Sequence, residues 1–215
     1  MAAAQRFGLA FGVAPPSKKA LETALGATVS QALVPFQAHL TADLTVERSG
    51  DHATLILDQT EVAFDVAVAI QEAAWPVSLR FALIVAPPAG AAGRDEAVRS
   101  KSAIALRSMT RHEAFRFDLP AKSEEERAMA DATAALHRRL VLDLTKQRIQ
   151  AVRAYRRLKR QAPVAQELKI SQQAVSQLLV GARLRLMQRT EAAIRSWLTR
   201  PQRTTLWPMK SRSGL

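Results

Sequence analysis

The sequence predicts an α+β protein, an N-terminal sandwich of sheet and helices joined to a C-terminal all-α domain. Three observations carry that reading. Alternating apolar runs interleave with helix-spaced runs as far as Leu119. Beyond Pro120 the pattern is helical almost to the end. The charge divides along with the pattern: residues 1–137 hold 13 Lys/Arg against 16 Asp/Glu, and residues 138–215 hold 18 against 3.

Taken in order, residues 6–13 read as a short apolar strand ended by Pro15 and Pro16. Leu21, Ala24, Leu25, Thr28, Val29, Ala32 and Leu33 then share one helical face, and Pro35 closes or bends that helix. A hairpin follows. Ala42, Leu44 and Val46 alternate with polar residues, Ser49-Gly50-Asp51 supplies turn chemistry, and Ala53, Leu55 and Leu57 resume the alternation. Residues 60–74 return to helix spacing until Trp75-Pro76 stops them, and residues 77–85 alternate as a strand. A loop over residues 87–93, a helix over 94–108 and a strand over 114–119 complete the first domain, residues 1–120. The order βαββαβ with an added αβ fits a ferredoxin-like sandwich with its helices on one sheet face.

The second domain, residues 121–200, opens at Ser123-Glu-Glu-Glu126, where a hydroxyl can cap free N–H groups and acidic side chains suit the helix dipole. Asp143 or Thr145 is placed to cap a helix running to about Arg160, with Ile149, Val152 and Tyr155 on its core face. Residues 163–181, PVAQELKISQQAVSQLLVG, predict a helix-turn-helix. Val164 and Leu168 are apolar on its first helix, and Ala165 is the small residue where two backbones cross. Ile170 would plug the turn, Ser171 caps the second helix, and Val175, Leu178 and Leu179 face the core. At Lys169 the turn would favour glycine, because the backbone there tends towards positive φ. Leu184, Leu186, Met187, Ile194 and Leu198 continue an amphipathic helix that either packs on its own domain or forms a dimer seam. Residues 201–215 read as a basic, disordered tail.

The outer face of the second motif helix carries Ser171, Gln172, Gln173, Ser176 and Gln177. These are the expected readers of base edges: a Gln amide pairs with adenine N6 and N7, and a Ser hydroxyl donates or accepts at several edges. Arg156, Arg157, Lys159, Arg160, Lys169, Arg183 and Arg185 are the expected phosphate contacts, with Arg153 and Arg189 nearby. The expected partner is therefore double-stranded DNA, bound by a homodimer or together with a protein partner. The protein is expected in the cytoplasm, on the nucleoid.

The composition narrows the alternatives. At 215 residues and 48% apolar content, the chain can build one large core or two small ones. No window of about 18 apolar residues suggests a membrane span, and the N-terminal residues lack the basic region of a secretory signal. Zero Cys excludes disulfides and thiolate metal sites, and the four His are scattered. No phosphate-binding glycine loop, paired carboxylates or Ser/His/Asp set stands out, so no catalytic residue, metal or cofactor is expected.

The layout resembles the SatD-like family of bacterial proteins, in which a nucleotide-cyclase/GGDEF-like palm domain precedes a C-terminal helix-turn-helix. The segment KISQQAVSQLLVGARL is similar to the family's GISQSAVSQ, RSGDHATLIL stands where the family has its GDEFQ turn, and WPVSLRFALIVA is similar to the strand after the second palm helix. The resemblance implies a palm that has lost its chemistry. Palm cyclases hold a metal with one carboxylate after the first strand and another on the hairpin. Here Phe11-Gly12-Val13-Ala14-Pro15 offers no carboxylate, and on the hairpin only Asp51 remains, read as a turn former with Asp43 and Asp58 nearby. His52 is expected at the surface or the sheet edge. The resulting expectation is a transcriptional regulator whose palm-like domain serves dimerisation, partner contact or effector sensing. The alternative is a metal-dependent nucleotide-converting enzyme carrying a DNA-binding domain.

Overall fold

The computed structural model describes residues 6–13, 17–46, 50–86, 94–110 and 112–200. Pro15, Pro16, Ser49, the expected loop at residues 87–93 and the expected tail at residues 201–215 lie outside them.

The protein is α+β. Strands β1 (Phe7–Val13), β2 (Leu40–Val46), β3 (His52–Leu57), β4 (Leu79–Val85) and β5 (Phe115–Asp118) form one sheet in the order β2-β3-β1-β4-β5. The sheet is mixed: β5 runs parallel to β4, and the other neighbours pair antiparallel. Helices α1 (Lys18–Ala24), α2 (Ala27–Leu33), α3 (Ala63–Ala74) and α4 (Arg94–Arg107) connect the strands. The single helix expected over residues 21–33 is broken at Gly26, whose extended ψ of 177° interrupts the helical path. Pro35 sits in a 3₁₀ turn, Val34–His39.

Pleating sorts the strands into two buried faces. Phe7, Leu9, Phe11, Leu55, Leu57, Phe81 and Leu83 form the larger core with Phe64 and Ile70 of α3. On the opposite face Ala10, Ile56, Ala82 and Ile84 lie under Val98, Ala105 and Leu106 of α4. Helices therefore cover both faces rather than the one face expected. The reason is the small residues between the large ones in β1: a Cβ on Gly8 would stand 2.5 Å from Val98 Cγ1 and 2.6 Å from Ser102 Oγ. Glycine lets α4 approach, and strands buried on both sides read as near-continuous apolar runs. The same packing overturns the expectation for His52. It opens β3, an interior strand, and is only 2% exposed, with Nδ1 2.6 Å from Asp51 Oδ1.

Five helices follow: α5 (Glu124–Leu142), α6 (Lys146–Leu158), α7 (Gln161–Leu168), α8 (Gln172–Gly181) and α9 (Leu184–Thr199). Ser123 and Glu126 form a reciprocal capping box at the start of α5. Both long helices serve two cores. Ala130 and Ala134 of α5 and Ile194 and Leu198 of α9 pack on the sheet core. Val141 of α5 and Leu184 and Met187 of α9 join a separate helical core. The expected division at residue 120 falls between β5 and α5, yet α5 and α9 tie the helical cluster to the sheet. Leu184, Met187, Ile194 and Leu198 of α9 are buried within their own chain, which is the packing role expected for this helix, while Leu186 of the same expected face stays 48% exposed.

Candidate nucleic-acid interface

Helices α6, α7 and α8 close around Ile149, Val152, Val164, Ala165, Val175 and Leu179. Thr145, extended at φ −72° and ψ 161°, caps α6 by accepting the Arg148 N–H. The turn between α7 and α8 is short. Lys169 takes the left-handed conformation, φ 55° and ψ 43°, and the Ile170 N–H donates back to the Ala165 carbonyl at 3.1 Å. Ser171 then extends the chain and its hydroxyl accepts the Ala174 N–H at 3.1 Å, which starts α8. Ile170, expected to plug the turn, keeps 37% of its surface exposed, and the turn closes by backbone hydrogen bonds instead.

Helical periodicity decides which part of α8 faces out. Val175 and Leu179 point into the core, so positions 173, 177 and 180 fall on the opposite side. Gln173, Gln177 and Val180 are exposed there, and Gln172 is exposed at the first turn. Ser176 is half-buried on the flank of that stripe rather than on its crest, and the Ser171 hydroxyl is already engaged in its cap. Val180 is the residue that sequence reasoning passed over. It is 75% exposed, and its position seven residues after Gln173 is the signal that places it.

Most of the expected phosphate contacts lie at the surface. Arg157, Lys159, Arg160, Lys169, Arg183, Arg185 and Arg189 are all exposed. Lys159, Lys169 and Arg183 share a further property, a left-handed backbone at a helix end, with φ of 60°, 55° and 55°. Arg157 Nη2 stands 2.6 Å from each oxygen of Glu167, and that pair is largely in solvent.

Arg156 is a correction. Its guanidinium turns inward, with Nη2 2.7 Å from Glu72 Oε1 and 2.7 Å from Glu191 Oε1, and Nη1 2.9 Å from Glu191 Oε2. Both carboxylates are buried, so this one charge is shared between them and is not offered to phosphate. Arg153 is likewise half-buried and donates to the carbonyls of Glu72 and Ala73 at the end of α3. His137 of α5 completes the cluster, with Nε2 2.7 Å from Glu191 Oε1. Burial by itself would raise the Glu191 carboxyl, but hydrogen bonds from His137 and Arg156 outweigh it and hold the group down at about 2. For Glu72 burial is the larger effect and lifts the carboxyl above its usual range, with the Arg156 charge pulling the other way.

Among the described residues no group of three or more His, Cys, Asp or Glu is placed to hold a metal ion. No helix among them is long and apolar enough to cross a membrane.

No family model matches the chain, and no curated protein matches it. Among solved structures it is similar to the crystal structure of a regulator of polyketide synthase expression from Bifidobacterium adolescentis, at 13% sequence identity and a TM-score of 0.31. That match covers 91% of this chain and 82% of the other.

Proposed function

We propose that this chain is a sequence-specific DNA-binding protein that regulates transcription, with α7 and α8 as a helix-turn-helix and α8 as its recognition helix. The observation that carries the reading is the outer face of α8. Uncharged hydrogen-bonding side chains, Gln173 and Gln177, stand exposed beside an apolar Val180, while exposed cations sit on the turns before and after the helix at Lys169 and Arg183. Amides can read adenine, a branched apolar side chain can meet a thymine methyl, and flanking cations can hold the backbone.

The N-terminal sandwich is read as ferredoxin-like and palm-like, without catalytic work. Its first four strands run β2-β3-β1-β4, all antiparallel neighbours, with helices on the two crossovers. The Asp51 carboxylate is engaged by His52, which supports a structural role at the hairpin. Membership of the SatD-like group, a double-stranded-DNA partner, a homodimer and a place on the nucleoid belong to the same reading.

Selection of duplexes from a random pool, followed by a salt titration on the enriched sequence, tests it. An enriched motif is expected, with log affinity falling against log salt by about 0.9 for each phosphate contact. A pool that stays random, or a flat salt response, would end the DNA reading.

A further inference from the structure

We propose that the outward face of α5 is a self-association surface on which a second copy of this chain packs antiparallel, about a two-fold axis at Ala132. It gives a surface to the homodimer named above, and is argued from α5 alone, apart from the DNA contacts. Helix α5 buries Ala130, Ala134, His137 and Val141, so Glu125, Ala128, Met129, Ala132, Leu136 and Arg139 line the opposite side, all of them exposed. Met129 and Leu136 are 72% and 70% exposed, and α5 is the only described element with two exposed large hydrophobic residues. They stand two helical turns apart, which places both on one stripe.

The stripe is complementary to itself. Glu125 and Arg139 are each seven residues from Ala132, and Ala128 and Leu136 are each four residues from it. An antiparallel copy centred on Ala132 therefore sets Leu136 beside the small Ala128 of the other copy. It places Glu125 against Arg139 at both ends, and lets the backbones approach at the alanine. A parallel copy would set like charges together. The intrachain pair of Arg139 Nε with Asp143 Oδ2, 3.0 Å apart, is exposed on both sides and holds the guanidinium only weakly. A two-fold interface is isologous, and the pattern of α5 meets that requirement with one patch.

Sedimentation velocity of the full chain without DNA, at micromolar concentration, tests the proposal. The expected species has twice the 23.6 kDa mass of the chain. Leu136→Glu is expected to weaken association by at least about a hundredfold, because both copies lose the buried side chain. Glu125→Arg and Arg139→Glu are each expected to weaken it, and the double swap to restore it, with circular dichroism unchanged throughout. If Leu136→Glu fails to fold, the charge-swap series decides alone. A monomeric wild type, a dimer indifferent to Leu136→Glu, or a double swap no better than the singles overturns the proposal. Because no DNA is present, a monomeric wild type removes only the homodimer from the reading above and leaves duplex selection to its own test, and a protein that dimerises yet selects no duplex separates the two the other way.

Discussion

The Arg156 guanidinium lies between Glu72 of α3 and Glu191 of α9, with Nη2 2.7 Å from a carboxylate oxygen of each. One side chain of α6 thus bonds both to the sheet layer and to the long C-terminal helix. His137 of α5 and Arg153 of α6 extend the cluster, and Arg195 of α9 pairs with Asp65 of α3 at 2.7 Å. The orientation of α8 relative to the sandwich is set by this polar junction together with the two helices that share both cores.

Arg156→Met leaves the buried Glu72 carboxylate without its guanidinium and Glu191 with His137 alone, and is expected to cost about 3–5 kcal/mol of stability. Arg157→Met breaks an exposed pair and is expected to cost no more than about 1 kcal/mol. Urea unfolding ranks them, and the opposite order would place Arg156 at the surface. For DNA the ranking reverses: Arg157→Met is expected to lower the salt slope by up to about 0.9.

Gln173→Ala and Gln177→Ala are each expected to cost about 1–3 kcal/mol on the selected duplex and little on random DNA. Fluorescence anisotropy on both duplexes measures the difference. Equal losses on the two would show that these amides do not read bases.

Lys169 occupies a left-handed conformation that an L side chain adopts at a cost of roughly 1–2 kcal/mol. Lys169→Gly is expected to stabilise the fold by up to about 1 kcal/mol, since glycine recovers only part of that cost. It removes an exposed cation as well, so DNA affinity is expected to fall at low salt while the melting temperature rises. A lower melting temperature would mean that the lysine side chain itself supports the turn.

Asp131 accepts the Phe117 N–H of the edge strand β5 at 3.0 Å, and burial lifts its carboxyl to about 6 against the lowering effect of that hydrogen bond. The folded state therefore holds a proton that the unfolded state releases near 3.8, so stability is lost as pH rises from about 4 to about 6. The group is only partly screened from solvent, and the effect expected is on the order of 1 kcal/mol. Asp131→Asn keeps an oxygen acceptor without the charge. It is expected to match the wild type at pH 4 and exceed it at pH 7 in denaturant unfolding, and a constant difference across that range would contradict the assignment.

The elements legible in the sequence are those that local chemistry specifies. Ser123 with Glu126, Thr145 and Ser171 cap their helices because a hydroxyl meets N–H groups two or three residues away. The α7–α8 turn and the core positions Val164, Ala165, Val175 and Leu179 likewise follow from helical spacing over fewer than twenty residues. Strands β2, β3 and β4 were legible as alternation and β1 as an apolar run, and the split of charge at residue 138 as a simple count.

Only the folded chain decides what depends on distant partners. Arg156 and Arg157 are adjacent and identical, yet the helix turns them about 100° apart. One meets carboxylates 84 and 35 residues away, and the other meets solvent and Glu167. His52 and Gly8 are buried because α4 crosses the second sheet face, which no alternation within β1 or β3 encodes. Hydrophobic spacing marks a helix face as apolar but does not name what covers it. Leu184, Met187, Ile194 and Leu198 of α9 are covered by the two cores of their own chain, whereas Leu186 and the stripe through Met129 and Leu136 on α5 are left outside.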